Sequence, residues 1–118
     1  MRSMKAWKRS LMQPEVRKVY NLLGLMMKSR KMVCGSFMTE KAVKDGSARL
    51  VIVSNDASDN TKKLFRNKCD HYQIPFYLFG DSDEIGKFLG KEARVSLAVV
   101  DEGFASSLEK LINKGSIN

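Results

Sequence analysis

Four consecutive apolar residues, Leu50, Val51, Ile52 and Val53, follow Arg49 and give way to the polar run Ser54, Asn55, Asp56. A strand with one wet face alternates apolar and polar residues, whereas one that is apolar throughout is covered on both faces. Covering a strand twice needs helices above and below it. The rest of the chain supplies them, because strand-like segments alternate with segments of helical periodicity. The expectation is an α/β fold with a three-layer core.

The helical segments are legible from their apolar spacing. From Pro14, which suits a first helical turn, Val16, Val19, Tyr20, Leu22, Leu23, Met26 and Met27 recur at three- and four-residue steps and predict an amphipathic helix ending near Lys28. Its methionines are assigned to packing. A short turn and strand, SRKMVCG, follows with Arg30 and Lys31 exposed. Gly35 and Ser36 then supply a flexible entry and a cap oxygen for a helix from about Phe37, with Ala42 and Val43 toward the sheet and Lys41 and Lys44 on the flanking face, stopped by Asp45 and Gly46. Beyond Val53, a helix is predicted from about Ser58 to Tyr72, capped by Ser58 or Asp59 and buried through Leu64, Phe65 and Cys69. A short strand follows Pro75. Ser82 or Asp83 caps a short helix with Ile85, Phe88 and Leu89 inward, stopped by Gly90. A final strand over Val95 to Val100 leads to a helix from Gly103 to Asn113 with Phe104, Leu108, Leu111 and Ile112 on one face.

Charge is distributed unevenly. Residues 1–49 hold 12 Lys and Arg against 3 Asp and Glu, and residues 50–118 hold 9 against 10, so the net +8 sits in the N-terminal part. That sidedness points to an anionic partner, nucleic acid above others. At 118 residues and 43% hydrophobic the chain supports one domain with a real core, read as residues 14–118 behind a basic extension of residues 1–13. The extension is either a frayed terminus or an arm gripping RNA with Trp7 on a base.

Other classes find little support. Two cysteines, Cys34 and Cys69, are too few for a disulfide framework and are not spaced as a metal knot, which fits a reducing cytoplasm. The apolar run Leu22 to Met27 is far short of a membrane span and follows no cleavable signal pattern. The single histidine, His71, lies late in a helix; Asp56 and Asp59 have turn and cap roles, and no nucleophile accompanies them. GKFLG and GDSDEIG lack the spacing of a Walker loop or a dinucleotide fingerprint. The expectation is a non-catalytic chain.

What remains is a binding surface of two loops. A helix start has free backbone N–H groups that attract phosphate. The candidate set is Gly35, Ser36, Phe37, Thr39, Lys41 and Lys44 at that start, Arg30, Lys31 and Arg49 near it, and Lys91, Ala93 and Arg94 in the loop after Gly90.

The order G-x-x-x-x-x-K, then ARLVIVSNDAS, then KCDHYQIPFY, then EIGKFLGKEARVSLAVVD resembles the kink-turn-binding ribosomal protein family of the archaeal L-seven-Ae and eukaryotic L-thirty-e type, over roughly Val16 to Ile112. Within it, GKEARVSLAVVDEGFA is most similar to the small bacterial YlxQ-type members, typically encoded beside transcription and translation factors. The resemblance implies a three-layer α/β/α sandwich around a four-stranded mixed sheet, no cofactor, and a partner that is structured RNA, either ribosomal RNA or another kink-turn-like RNA. In such binders the glycine-led helix start carries an Asn-Glu pair that reads tandem sheared G·A pairs, with a lysine three residues after the Glu. Gly35 and Lys41 match that pattern, whereas Phe37 and Met38 stand where the Asn and Glu belong, and Glu40 adds a negative charge beside them. The loop before the last strand, apolar in those binders, is here Lys91, Glu92, Ala93 and Arg94, which favours backbone contacts or a different RNA. Phe37 either stacks on an unpaired base or packs against the neighbouring helix. A protein-interaction module on the same fold is the alternative.

Overall fold

The computed structural model describes residues 13–115, so the basic arm and Trp7 lie outside the described residues. Among the described residues nine elements follow in order: α1 (Pro14–Lys28), β1 (Met32–Cys34), α2 (Ser36–Lys44), β2 (Leu50–Val53), α3 (Asp59–Tyr72), β3 (Phe76–Leu78), α4 (Ser82–Phe88), β4 (Ser96–Val99) and α5 (Glu102–Gly115). The strands form one mixed sheet in the order β1-β4-β2-β3. β2 and β3 run parallel, while β4 is antiparallel to both of its neighbours, with Leu50 and Met32 opposite Val99 and Ile52 and Cys34 opposite Leu97.

Alternation along the strands builds two cores. Leu50, Ile52, Leu97 and Val99 face the layer of α1, α4 and α5, where they meet Val19, Leu23, Met26, Ile85, Leu108 and Ile112. Val51, Val53 and Ala98 face the layer of α2 and α3, where they meet Ala42, Val43, Phe65 and Cys69. β2 is buried at every residue, as its unbroken apolar run requires. This is the α/β/α sandwich; each fully buried aliphatic side chain contributes about 1.5–3 kcal/mol to it.

Three local expectations need correction. Leu64 is not part of the inward stripe: it is 43% exposed. The buried pair Phe65 and Cys69 sits four residues apart, and at 100° per residue that turns Leu64 off the core face. The cap of α4 is Asp81, whose carboxylate accepts the amides of Asp83 at 2.8 Å and Glu84 at 3.3 Å, rather than Ser82 or Asp83. Ser36 is the first residue of α2 and caps nothing; the N-cap is Gly35, without a side-chain hydrogen bond. Ser58 caps α3 by accepting the Thr61 amide at 3.1 Å.

Strand directions decide where the loops gather. Because β4 runs antiparallel between β1 and β2, the C-terminal ends of β1, β2 and β3 meet the N-terminal end of β4 at one end of the sheet. Gly35, Ser54, Phe79 and Val95 flank that end. The residues before β1 and β2, including Lys31 and Arg49, lie at the other.

Candidate functional site

The Gly35 end is held together by backbone hydrogen bonds. Gly35 has φ 91° and ψ 151°, a conformation that in practice only glycine adopts, although no atom lies within 4 Å of where a Cβ would stand. The requirement is conformational. The turn lets the Gly35 amide donate to the Ser96 carbonyl at 2.9 Å while its own carbonyl accepts the Thr39 amide at 2.9 Å. The amides of Ser36, Phe37 and Met38 are left at the open first turn of α2 with no acceptor among the described residues. Beneath them, Thr39 and Ser96 bury hydroxyls that have no hydrogen-bond partner among the described residues.

Phe37 does not pack against a neighbouring helix. It is 77% exposed, and Met38 beside it is 40% exposed. Lys41 follows on the same element, about 8 Å from the helix start by the rise per residue, exposed and without a carboxylate in salt-bridge range among the described residues. Lys44 is further along and pairs with Glu40 at 3.4 Å, which also takes Lys68 at 3.5 Å. Glu40 therefore does not stand as an uncompensated negative charge.

The second loop reaches the same end. The Arg94 amide donates to the Ser82 carbonyl at 3.1 Å, and the Ser54 amide to the Val95 carbonyl at 2.8 Å. Arg94 folds its Nη1 back onto the carbonyls of Glu92 and Ala93 at 3.3 and 3.1 Å, and its other guanidinium N–H groups have no acceptor among the described residues. Lys91 and Ala93 are exposed. Two supports were not read from sequence. Gly86 lies so close to this loop that a Cβ there would collide with the Glu92 carbonyl, and the Lys91 amide donates to the Gly86 carbonyl at 2.8 Å. Asp56 accepts the Ser82 amide at 3.0 Å and the Ser82 hydroxyl at 2.7 Å, fastening the loop after β2 to α4. Burial alone would raise the Asp56 carboxyl, but the Ser82 hydroxyl and nearby backbone amides outweigh it and hold the group below the usual carboxylate range. The one signal for Gly86 was a glycine inside a helical pattern.

Tyr20 stiffens the arrangement from below. Its ring stacks on Phe88 at 4.7 Å and meets Phe79 at 5.0 Å, and its hydroxyl accepts the Asp81 amide at 3.3 Å. Burial, with smaller effects from the carboxylates of Asp81, Glu84 and Asp56, pushes its phenol up to about 12 despite the opposing Asp81 hydrogen bond.

Arg30, Lys31 and Arg49 are not near the helix start, contrary to the sequence reading. The Lys31 carbonyl accepts the Val100 amide at 2.9 Å and the Arg49 amide donates to Val99 at 2.7 Å, so all three lie at the opposite end of the sheet. Among the described residues no group of His, Cys, Asp and Glu could hold a metal ion, and no helix is long and apolar enough to cross a membrane.

A glycine-led helix start joined to the loop before the last strand of a four-stranded sandwich matches a known pattern. Residues 17–109 match the "Ribosomal protein L7Ae/L30e/S12e/Gadd45 family". The chain belongs to this family. It is 39% identical over 94 residues to the "RNA-binding protein YlxQ" of Bacillus subtilis, covering 80% of this chain and 94% of that protein. It is 32% identical over 93 residues to the "Large ribosomal subunit protein eL30" of Tetrahymena thermophila, covering 77% and 89% of the two. A solved Bacillus halodurans protein of unknown function superposes with a TM-score of 0.79 at 41% identity, over 81% of this chain and 97% of that one.

Proposed function

We propose that this chain is a non-catalytic RNA-binding protein of the cytoplasm that contacts structured RNA, ribosomal or kink-turn-like, at the Gly35 end of its sheet. The observation that carries the reading is the direct Gly35–Ser96 hydrogen bond, which sets the open helix start beside the loop of Lys91, Ala93 and Arg94. The names of its relatives, an RNA-binding protein and a large-subunit ribosomal protein, support the ligand class and an association with the ribosome or its factors.

The chemistry differs from the polar base readout the family resemblance implies. Ser36, Phe37 and Met38 offer backbone donors to a phosphate, Lys41 and Arg94 offer charge, and Phe37 offers an exposed ring on which an unpaired base stacks. Thr39 holds the first turn from below. The side chains at positions 37 and 38 carry no amide or carboxylate to read a sheared G·A pair, so the RNA is recognised by backbone shape and by a splayed base.

The test is filter binding across a salt series with a bulged hairpin. Lys41→Ala and Arg94→Ala each weaken binding and lower the salt slope by about one; unchanged affinity in both removes this surface. The exposure of Phe37 and Met38 also favours a second reading, a protein-interaction module. Crosslinking and sequencing that enriches no RNA over a charge-matched control transfers the assignment to that reading.

A further inference from the structure

The basic residues that the fold sends away from the Gly35 end form a surface of their own. Lys28 closes the last turn of α1, Ser29 caps it, and Arg30 and Lys31 follow immediately. All three cations are exposed, and among the described residues none has a carboxylate in salt-bridge range. Three acidic groups at this end are otherwise occupied. Asp45 accepts the Ser47 amide at 3.0 Å and the Ser47 hydroxyl at 2.7 Å, Asp101 accepts the Phe104 amide at 2.9 Å, and Glu102 stands 3.8 Å from Arg49. Arg49 extends the surface: it and Lys31 lie on either side of the β4 end, two strand spacings or roughly 10 Å apart.

Arg30 is the telling residue. The turn that ends α1 sends the Lys31 amide to the Met26 carbonyl at 2.9 Å and the Arg30 amide to Met27 at 3.1 Å, which requires the residue between helix and strand to be left-handed. Arg30 adopts φ 60°, where glycine or asparagine is the ordinary choice. An arginine held in a glycine conformation, exposed between two lysines and without a carboxylate partner among the described residues, is a local conflict that folding alone does not explain.

We infer that Lys28, Arg30 and Lys31, with Arg49 beside them, form a second RNA contact that takes phosphodiester backbone at the end of the sheet opposite the helix start. The domain, 41 × 28 × 26 Å in extent, then meets RNA at two ends, one recognising a local structure and the other holding the helical stem that leads away from it. This rests on the RNA-binding reading for the class of ligand, and on separate residues for the site.

The experiment uses the full chain and two fluorescein-labelled bulged hairpins, one with a short stem and one with a stem of about 16 base pairs, the span a shape-reading domain covers. On the long stem, Arg30→Gly lowers the log–log salt slope by about one, and the triple variant Lys28→Ala, Arg30→Gly, Lys31→Ala lowers it by about two to three. On the short stem both variants match the wild type. Arg30→Gly keeps a Tm equal to or above the wild type, because it relieves the backbone conflict while removing the charge. Gln73, also left-handed (φ 59°) just past α3, is the control: Gln73→Gly leaves RNA binding unchanged.

An unchanged slope for the triple variant on the long stem overturns the inference, and is the result expected if this surface takes an acidic protein segment. Loss of binding in Gln73→Gly equal to that in Arg30→Gly also overturns it, since turn geometry then explains the effect. A slope that responds to Lys41→Ala but not to the triple variant removes this contact alone; a wild-type chain that binds neither hairpin removes the RNA reading with it.

Discussion

The Gly35 amide donates to the Ser96 carbonyl at 2.9 Å, and this one bond ties the start of α2 to the start of β4. Gly35 then turns the chain into α2 with φ 91° and ψ 151°. Gly35→Ala meets no steric neighbour, so its cost is backbone strain, about 1–3 kcal/mol. Urea unfolding measures that loss, and RNA affinity falls with it as the helix start shifts away from the Lys91 to Arg94 loop.

The Asp56–Ser82 pair gives the site an acid limit. The folded Asp56 carboxyl lies below its ordinary value, so its contribution is complete above the unfolded value of about 3.9 and is lost as pH falls through the lower folded one. Asp56→Asn keeps one acceptor oxygen for the Ser82 amide, replaces the other with an NH2 donor and loses the charge, and its stability profile is flatter than wild type over that acid window. At neutral pH the variant costs about 1 kcal/mol, a figure reduced for the exposure of the group. Thermal denaturation between neutral pH and the acid limb checks both.

Much of this fold is legible because the residues concerned act locally. Pro14 and the spacing from Val16 to Met27 bound α1 at Pro14–Lys28; the Leu50 to Val53 run announces a strand covered twice. The cap at Asp81 is not legible because Asp81, Ser82 and Asp83 are three oxygen-bearing side chains in a row, and only the register of the turn selects among them. For Arg30, Lys31 and Arg49 the reason is different. Which end of a sheet a charge occupies depends on strand direction, and the antiparallel insertion of β4 between β1 and β2 is a tertiary fact. The role of Gly86 depends on a loop that returns over it.

Gly86 makes that last point testable. In a free helix Ala is preferred to Gly by about 1 kcal/mol, yet at position 86 the methyl collides with the Glu92 backbone carbonyl. Gly86→Ala therefore destabilises the chain, by about 1–3 kcal/mol as overpacking does. Hydrogen exchange of the Lys91 and Arg94 amides, which donate to Gly86 and Ser82, accelerates more than that of β2. Exchange that speeds up uniformly indicates global destabilisation and not a displaced loop.

Phe37 separates stability from binding. At 77% exposed it contributes little to the core, so Phe37→Ala changes stability by no more than about 0.5 kcal/mol. If its ring carries an unpaired base, the same change weakens binding to a bulged hairpin by about 1–3 kcal/mol, and Phe37→Trp retains most of the affinity. An abasic spacer at the bulged position isolates the contact: Phe37→Ala then has no further effect, and the cycle between residue and base gives the stacking energy directly. Equal losses on the intact and abasic hairpins mean that the ring touches something other than the base, leaving the backbone donors of α2 and the Lys91 to Arg94 loop to hold the RNA.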